Sequence, residues 1–248
     1  MSHSTKVSTN DKAAGLDGAT YEIWKSIVQK IDLDEEEDKP FDVIHLMITA
    51  FNNIEQHRTY AGSSFAEGWM CPIYKKKEQD EIKNYRPITV LNTDYKLMIK
   101  VLAMHLARSA PILLHRNKAG FVPSRQISQQ TQLLKMVLKF AEATEENRMI
   151  VALDQAKAYD KIEHDYLWKT LKAFKLPDHF ICTVQNLCLN ATTKVMINGC
   201  LSSIFPVSRG VHQGDPLSCL LFNLGIEPLS LALRKSNLKG LTMPGTHG

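Results

Sequence analysis

A continuous apolar run, Met149 to Leu153, ends on a single carboxylate, Asp154. The run is too short for a helix and has the length of a strand covered on both faces. Such a strand needs neighbours to complete its hydrogen-bond ladder and helices to cover its sides, so the chain is expected to be mixed α+β. The rest of the sequence supplies both kinds of element. Helical stripes run through Ile23, Trp24, Ile27, Val28 and Ile31, with Thr20 as the expected cap. They recur through Phe41, Ile44, Met47, Ile48 and Phe51, where Pro40 can open the helix. Leu97, Met98, Val101, Leu102 and Leu106 form a third stripe, capped by Thr93 or Asp94, and Ile127, Leu134, Val137, Leu138 and Ala141 a fourth. Two further helices are expected, one around Leu167, Leu171 and Phe174, the other starting near Asp178.

Strand signals are fewer. Gly68 to Tyr74 is a short apolar segment, and in NYRPITVLN Pro87 argues against helix. Val195 and Ile197 alternate with polar residues and lead into Asn198-Gly199, a hairpin signal, with Ile204, Phe205 and Val207 on the return strand. Asp215-Pro216 reads as an N-cap and first helical residue, followed by Leu217, Leu220, Leu221 and Leu224 until Pro228 bends or interrupts the helix.

A chain of 248 residues can bury a sizeable core in one large domain or two smaller ones. Its 44% hydrophobic and 23% charged residues are ordinary globular usage, and a net charge of +4 permits a nucleic-acid partner without requiring one. The five cysteines make no C-x-x-C pair, so single buried thiols in a reducing compartment are expected rather than zinc ligands or disulfides. Residues 1–11 read as a flexible polar tail without the apolar core of a signal peptide, and the acidic run 34–38 as a solvated loop. Asn223 and Glu227 interrupt the longest apolar stretch. An intracellular, soluble protein is therefore expected, with nucleus or cytoplasm left open.

Three features carry chemistry. Asp154, at the end of an apolar run, is costly to bury unless paired or metal-bound, and magnesium takes carboxylate oxygens together with substrate phosphates; the alternative is a turn or helix cap. In SRGVHQGDPLSCLLFNL, Gly210 and Gly214 bracket a loop leading into a helix, where glycine lets the backbone approach a ligand closely. Asp215 has a structural explanation as a cap, whereas His212 and Gln213 have none. Lys75, Lys76, Lys77, Lys83 and Arg86 form a basic cluster suited to phosphate, or simply a solvated face.

In order, KAAGLDG, IKNYRPITVLNTDYKLMIKVLAMHL, AGFVPSRQI, VALDQAKAYDKIEHDYL and RGVHQGDPLSCLLFN resemble the reverse transcriptases of LINE-type (non-LTR) retrotransposons, from about Lys12 to Leu241. The resemblance implies the fingers and partial palm of a right-hand polymerase, with fingers from 12–92 and 160–215 and palm from 93–159 and 216–248. It implies an RNA-directed DNA polymerase acting on RNA template, DNA primer and deoxynucleoside triphosphates with Mg2+. Residue by residue, it makes Asp154 the first catalytic aspartate and metal ligand, with the Gln155 carbonyl on the second metal. Tyr159 falls under the sugar, Gln213 and Gly214 at the template grip and nucleotide, and Arg86 over the incoming nucleotide. The triphosphate lysine falls within Lys75 to Lys77, with Lys75 and Lys76 the candidates. The family's [YF]-x-D-D hairpin should follow KGL, but the sequence reads TMPGTHG and contains no adjacent aspartate pair. The expectation is thus a fragment without its last catalytic motif and thumb, inactive alone. The alternative is a non-catalytic nucleic-acid-binding remnant.

Overall fold

The first strand pair sets the frame. In the computed structural model, which describes residues 8, 10–33, 42–60, 62–144 and 149–238, β1 (Glu67–Tyr74) and β2 (Tyr85–Leu91) pair antiparallel from Gly68↔Leu91 to Tyr74↔Tyr85. The connection closes on itself: the Lys75 amide donates to the Asn84 carbonyl (3.0 Å), and the Asn84 and Tyr85 side chains donate to the carbonyls of Glu78 and Gln79, both at 2.8 Å. Strand β3 (Thr192–Ile197) lies parallel to β1, in register Glu67↔Thr192, and turns through Asn198 and Gly199, both at positive φ, into β4 (Cys200–Leu201). The return strand is shorter than Ile204, Phe205 and Val207 suggest: of that stretch, Phe205–Pro206 (β5) pairs with β3. Among the described residues the order is β2-β1-β3-β4, with β5 also on β3.

Helices supply most of the core. Tyr21–Leu33 (α1) and Val43–His57 (α2) form a small cluster in which Tyr21, Val28, Val43, Met47 and Leu97 are buried. The Trp24 indole donates to the Thr93 hydroxyl (2.8 Å), and Asp42 caps α2 by accepting the His45 amide (2.9 Å). The larger core unites Thr93–Leu113 (α3), His164–Ala173 (α6), Asp178–Leu189 (α7) and Ser218–Lys235 (α8) around Leu167, Leu171, Ile181, Leu187, Leu217 and Leu224. Ile127–Ala143 (α4) and the single turn Ala158–Lys161 (α5) are the remaining α-helices among the described residues. The fold is mixed α+β, as its sequence pattern requires. Among the described residues no helix is long and apolar enough to cross a membrane.

Several expectations change. Met149–Leu153 forms no strand, and its side chains are exposed, Met149 by 85% and Leu153 by 74%. No strand among the described residues pairs with it, and a lone strand has neither ladder nor cover. Helix α4 forms over its predicted stripe yet buries none of its residues, with Leu134 and Leu138 exposed. The cap of α3 is Asn92, not Thr93 or Asp94. Its side chain makes no cap bond and instead accepts the Asp17 amide (3.4 Å) and donates to the Ser64 carbonyl (3.3 Å). Helix α8 starts at Ser218, beyond Pro216, and is not interrupted at Pro228. Buried Glu227, next to that proline, is clasped by Lys118 (3.1 Å) and Arg234. All five cysteines are free, but Cys182 and Cys200 are exposed and the others only partly covered. The expectations for residues 1–7, the acidic run 34–38, Pro40, Phe41, the side chain of Ile31, and 239–248 lie outside the described residues.

The loop between α3 and α4 is pinned by one side chain. Arg125 donates to four carbonyls, those of His115 (2.7 Å), Lys118 (2.8 Å), Pro111 (2.7 Å) and Leu114 (3.0 Å). These include groups at the end of α3 that have no partner within the helix. Replacing Arg125 with alanine should lower the unfolding free energy by about 2–3 kcal/mol. Arg125→Lys should lose most of the same amount, because an ammonium cannot serve four acceptors spread around a fork. Denaturant midpoints at unchanged slope would measure this, and parental stability in Arg125→Ala would contradict it.

Candidate active site

The loop 208–215 lies between β2 and the segment 159–162. On one side the Gly210 amide donates to the Ile162 carbonyl and the Val211 amide to the Tyr159 carbonyl, both at 2.8 Å. On the other, the Thr89 amide of β2 donates to the Gln213 carbonyl (2.9 Å). Both glycines are needed for these approaches. A Cβ on Gly210, at φ 83°, would meet the Tyr159 carbonyl oxygen at 2.8 Å. On Gly214, at φ 118°, it would meet the Thr89 carbonyl oxygen at 2.6 Å.

This loop closes one end of an open cleft of about 710 Å³. Of the residues singled out from sequence, Lys75, Arg86, Asp154, Gln155, Tyr159, Gln213 and Gly214 all line it. Lys76 does not; it is exposed beyond the rim. Lys75 and Arg86 are exposed and have no ion-pair partner among the described residues, whereas Lys83, also in the lining, pairs with Glu81 (2.7 Å). Tyr159 is held from behind: its ring stacks on Phe222 with centroids 5.1 Å apart, and burial together with the Cys219 thiol raises its phenol pKa. Asp154 and Gln155 are exposed on the irregular segment that follows Leu153.

Two side chains here exceed what sequence indicated. Asp160 accepts a long hydrogen bond from the Gln213 side-chain amide (3.4 Å), so it orients the loop rather than standing free. Asp215 accepts the Leu217 amide (2.7 Å) two residues on and the Tyr95 hydroxyl (3.4 Å), fixing the turn before α8 instead of capping the helix directly. A hairpin-free local signal for the Asp160–Gln213 link does not exist, because the partners are 53 residues apart.

The described residues contain no group of three or more His, Cys, Asp or Glu placed to hold a metal ion. Asp154 supplies one exposed carboxylate, while Asp160 is engaged by Gln213 and Asp215 by Tyr95. These residues alone do not fit a resident ion.

Beneath the loop, burial pushes the Asp215 carboxyl up to about 6, against the pull of the Leu217 and Ser218 amides and the Tyr95 hydroxyl. Burial and then the nearby His164 push His212 down to about 4. Asp215 binds its proton more tightly folded than unfolded, so its stabilising contribution is complete at low pH and is lost as pH rises through about 6. His212 binds its proton less tightly when folded. Its contribution is complete above its ordinary value and is lost as pH falls through about 4. The two slopes oppose each other over the same acid range. Asp215→Asn should therefore unmask His212: stability should drop by roughly 1–3 kcal/mol more than in the parent as pH is lowered from neutral to mildly acid. Parallel pH–stability curves for parent and variant would contradict this.

Residues 73–243 match the family described as reverse transcriptase (RNA-dependent DNA polymerase). The chain is 31% identical over 244 residues, 98% of its length, to the transposon TX1 uncharacterized 149 kDa protein of Xenopus laevis. It is 32% identical over 157 residues, 63% of its length, to the Pol polyprotein from the type-2 retrotransposable element R2DM of Drosophila melanogaster. The RNA-directed DNA polymerase from mobile element jockey, of the same fly, is 24% identical over 224 residues, 84% of the chain. The chain spans 18% of the first of these relatives, 14% of the second and 24% of the third.

Proposed function

The chain belongs to the reverse transcriptase (RNA-dependent DNA polymerase) family, in the form carried by non-LTR retrotransposon polyproteins, and from that premise we propose that its cleft is the template–primer and nucleotide site of an RNA-directed DNA polymerase. The family has the polymerase fold, generally works with a divalent metal, and implies a nucleic-acid template and primer. The observation that carries the proposal is the convergence, in one cleft, of residues drawn from three distant stretches of chain: Lys75 and Arg86; Asp154, Gln155 and Tyr159; and Gln213 and Gly214.

Each residue has a role its surroundings support. Arg86, exposed and unpaired among the described residues, would take phosphate oxygens through two parallel hydrogen bonds, and Lys75 would add a point charge beside it. The Tyr159 ring, fixed by Phe222, would lie under the sugar and crowd a 2′-hydroxyl. Gln213, tied to Asp160 and to Thr89, would grip the template from a loop that cannot drift. Asp154 and the Gln155 carbonyl would each offer one oxygen toward a divalent metal, and by themselves they do not complete its site. In this reading residues 12–92 and 160–215 are fingers, and 93–159 and 216–248 part of the palm.

The 248 residues contain no adjacent aspartate pair, so we propose that by themselves they bind template–primer without extending it. A labelled RNA template annealed to a DNA primer should bind with an affinity that falls steeply as salt rises, because each neutralised phosphate releases counterions. Changing Lys75, Lys83 and Arg86 together to alanine should weaken binding and reduce the salt slope by roughly two to three. Primer extension with magnesium or manganese should be undetectable. An unchanged slope would reject the cleft as the phosphate site, and Asp154-dependent extension by these residues would reject the division between binding and catalysis.

A further inference from the structure

Phe121 is the one member of the cleft lining that is both aromatic and largely solvent-exposed, at 69%. Its backbone is at φ 57°, a left-handed conformation that bulky side chains rarely adopt. Strain of this kind persists only where the surroundings over-determine it, and it gathers at ligand sites. The surroundings here are rigid. The neighbours Ala119 and Val122 are buried, and Arg125 ties the loop to four carbonyls. The Asn223 side chain donates to the Gly120 carbonyl (2.6 Å), and Lys118 donates to the Asn223 carbonyl (3.2 Å). The loop therefore anchors itself through small and apolar residues on either side while presenting an unsupported phenyl ring to solvent. An ordinary packing role would have turned that ring inward, where the same loop buries Val122.

From this geometry we propose that Phe121 is a stacking platform for an unpaired nucleobase in the cleft. The proposal rests on the reading of the cleft as a nucleic-acid site and adds a residue that this reading leaves without a role. A flat ring carried on a pinned loop, in a cleft that also holds basic side chains, matches how proteins hold single strands, with charge tracking the backbone and an aromatic face meeting a base. Lys75, Arg86 and Lys157 line the same cleft and supply the charge. Because the ring is presented before binding, little conformational freedom is lost when the base arrives.

The test uses the full chain and four probes: an RNA template–DNA primer with an unpaired template overhang, the same duplex with an abasic overhang, the blunt duplex, and a deoxynucleoside triphosphate as competitor. Phe121→Asn removes the ring and tolerates the left-handed backbone, so it should melt like the parent. Phe121→Leu keeps apolar bulk but not the flat face, and Phe121→Trp restores one. Both Phe121→Asn and Phe121→Leu should bind the overhang duplex about 5- to 100-fold more weakly, with abasic and blunt binding unchanged, and Phe121→Trp should recover parental affinity. That pattern assigns the template base. The same loss and recovery confined to the triphosphate competition would support the platform and assign the incoming base instead. Equal binding of all probes by parent and variants would overturn the platform while leaving the cleft reading intact. Absence of salt-dependent binding by the parent would overturn both.

Discussion

One backbone hydrogen bond joins the two halves of the site: the Thr89 amide, in the middle of β2, donates to the Gln213 carbonyl. It requires the loop 208–215 to lie against a strand far from it in sequence. That close approach is open only because Gly214 has no Cβ to strike the Thr89 carbonyl oxygen. On the other side, the Gly210 and Val211 amides close on the carbonyls of Ile162 and Tyr159. With the loop fixed at both edges, Arg86 on β2, Tyr159 on its short helical turn and Gln213 on the loop face one space. Half-buried Asp215 and His212 lie at this junction, and burial shifts their pKa values in opposite directions, so their effects on stability offset over mildly acid pH.

The side of the cleft that carries Asp154 is built differently. Met149–Leu153 has a strand's composition but no ladder partner among the described residues, and α4 presents apolar side chains without a covering surface. Next to these two elements, which lack apolar cover among the described residues, the Asp154 carboxylate is exposed rather than enclosed. Among the described residues, β2, the turn at Tyr159 and the glycine loop line one cleft, to which Asp154 adds a single exposed carboxylate.

Much of this was legible in the sequence, and the limits are physical. Local signals were sound where an element is stabilised by its own period or turn: the β1–β2 pair, the Asn198-Gly199 hairpin, and the stripes of α3, α6 and α8. The strand at 149–153 failed because a strand is defined by its neighbour, which an apolar run does not encode. The Asn92 side chain is engaged by distant partners, Asp17 and Ser64, and the continuity of α8 past Pro228 has no local sequence signature. Motif order brought forward Asp154, Tyr159 and Gln213, and the fold places all three in the lining of one cleft. The Asp160–Gln213 bond and the exposed ring of Phe121 were not legible, since neither has a local sequence signature.

The most direct test of the central claim is hydrogen–deuterium exchange on the chain with and without an RNA template–DNA primer. If the junction of β2, 154–160 and 208–215 holds nucleic acid, amides of those three stretches should become protected together. The outer hairpin around Asn198 and Gly199, which lies outside the cleft lining, should exchange as before. Protection confined to surface lysines elsewhere, or absent from all three stretches while the duplex is bound, would contradict the claim.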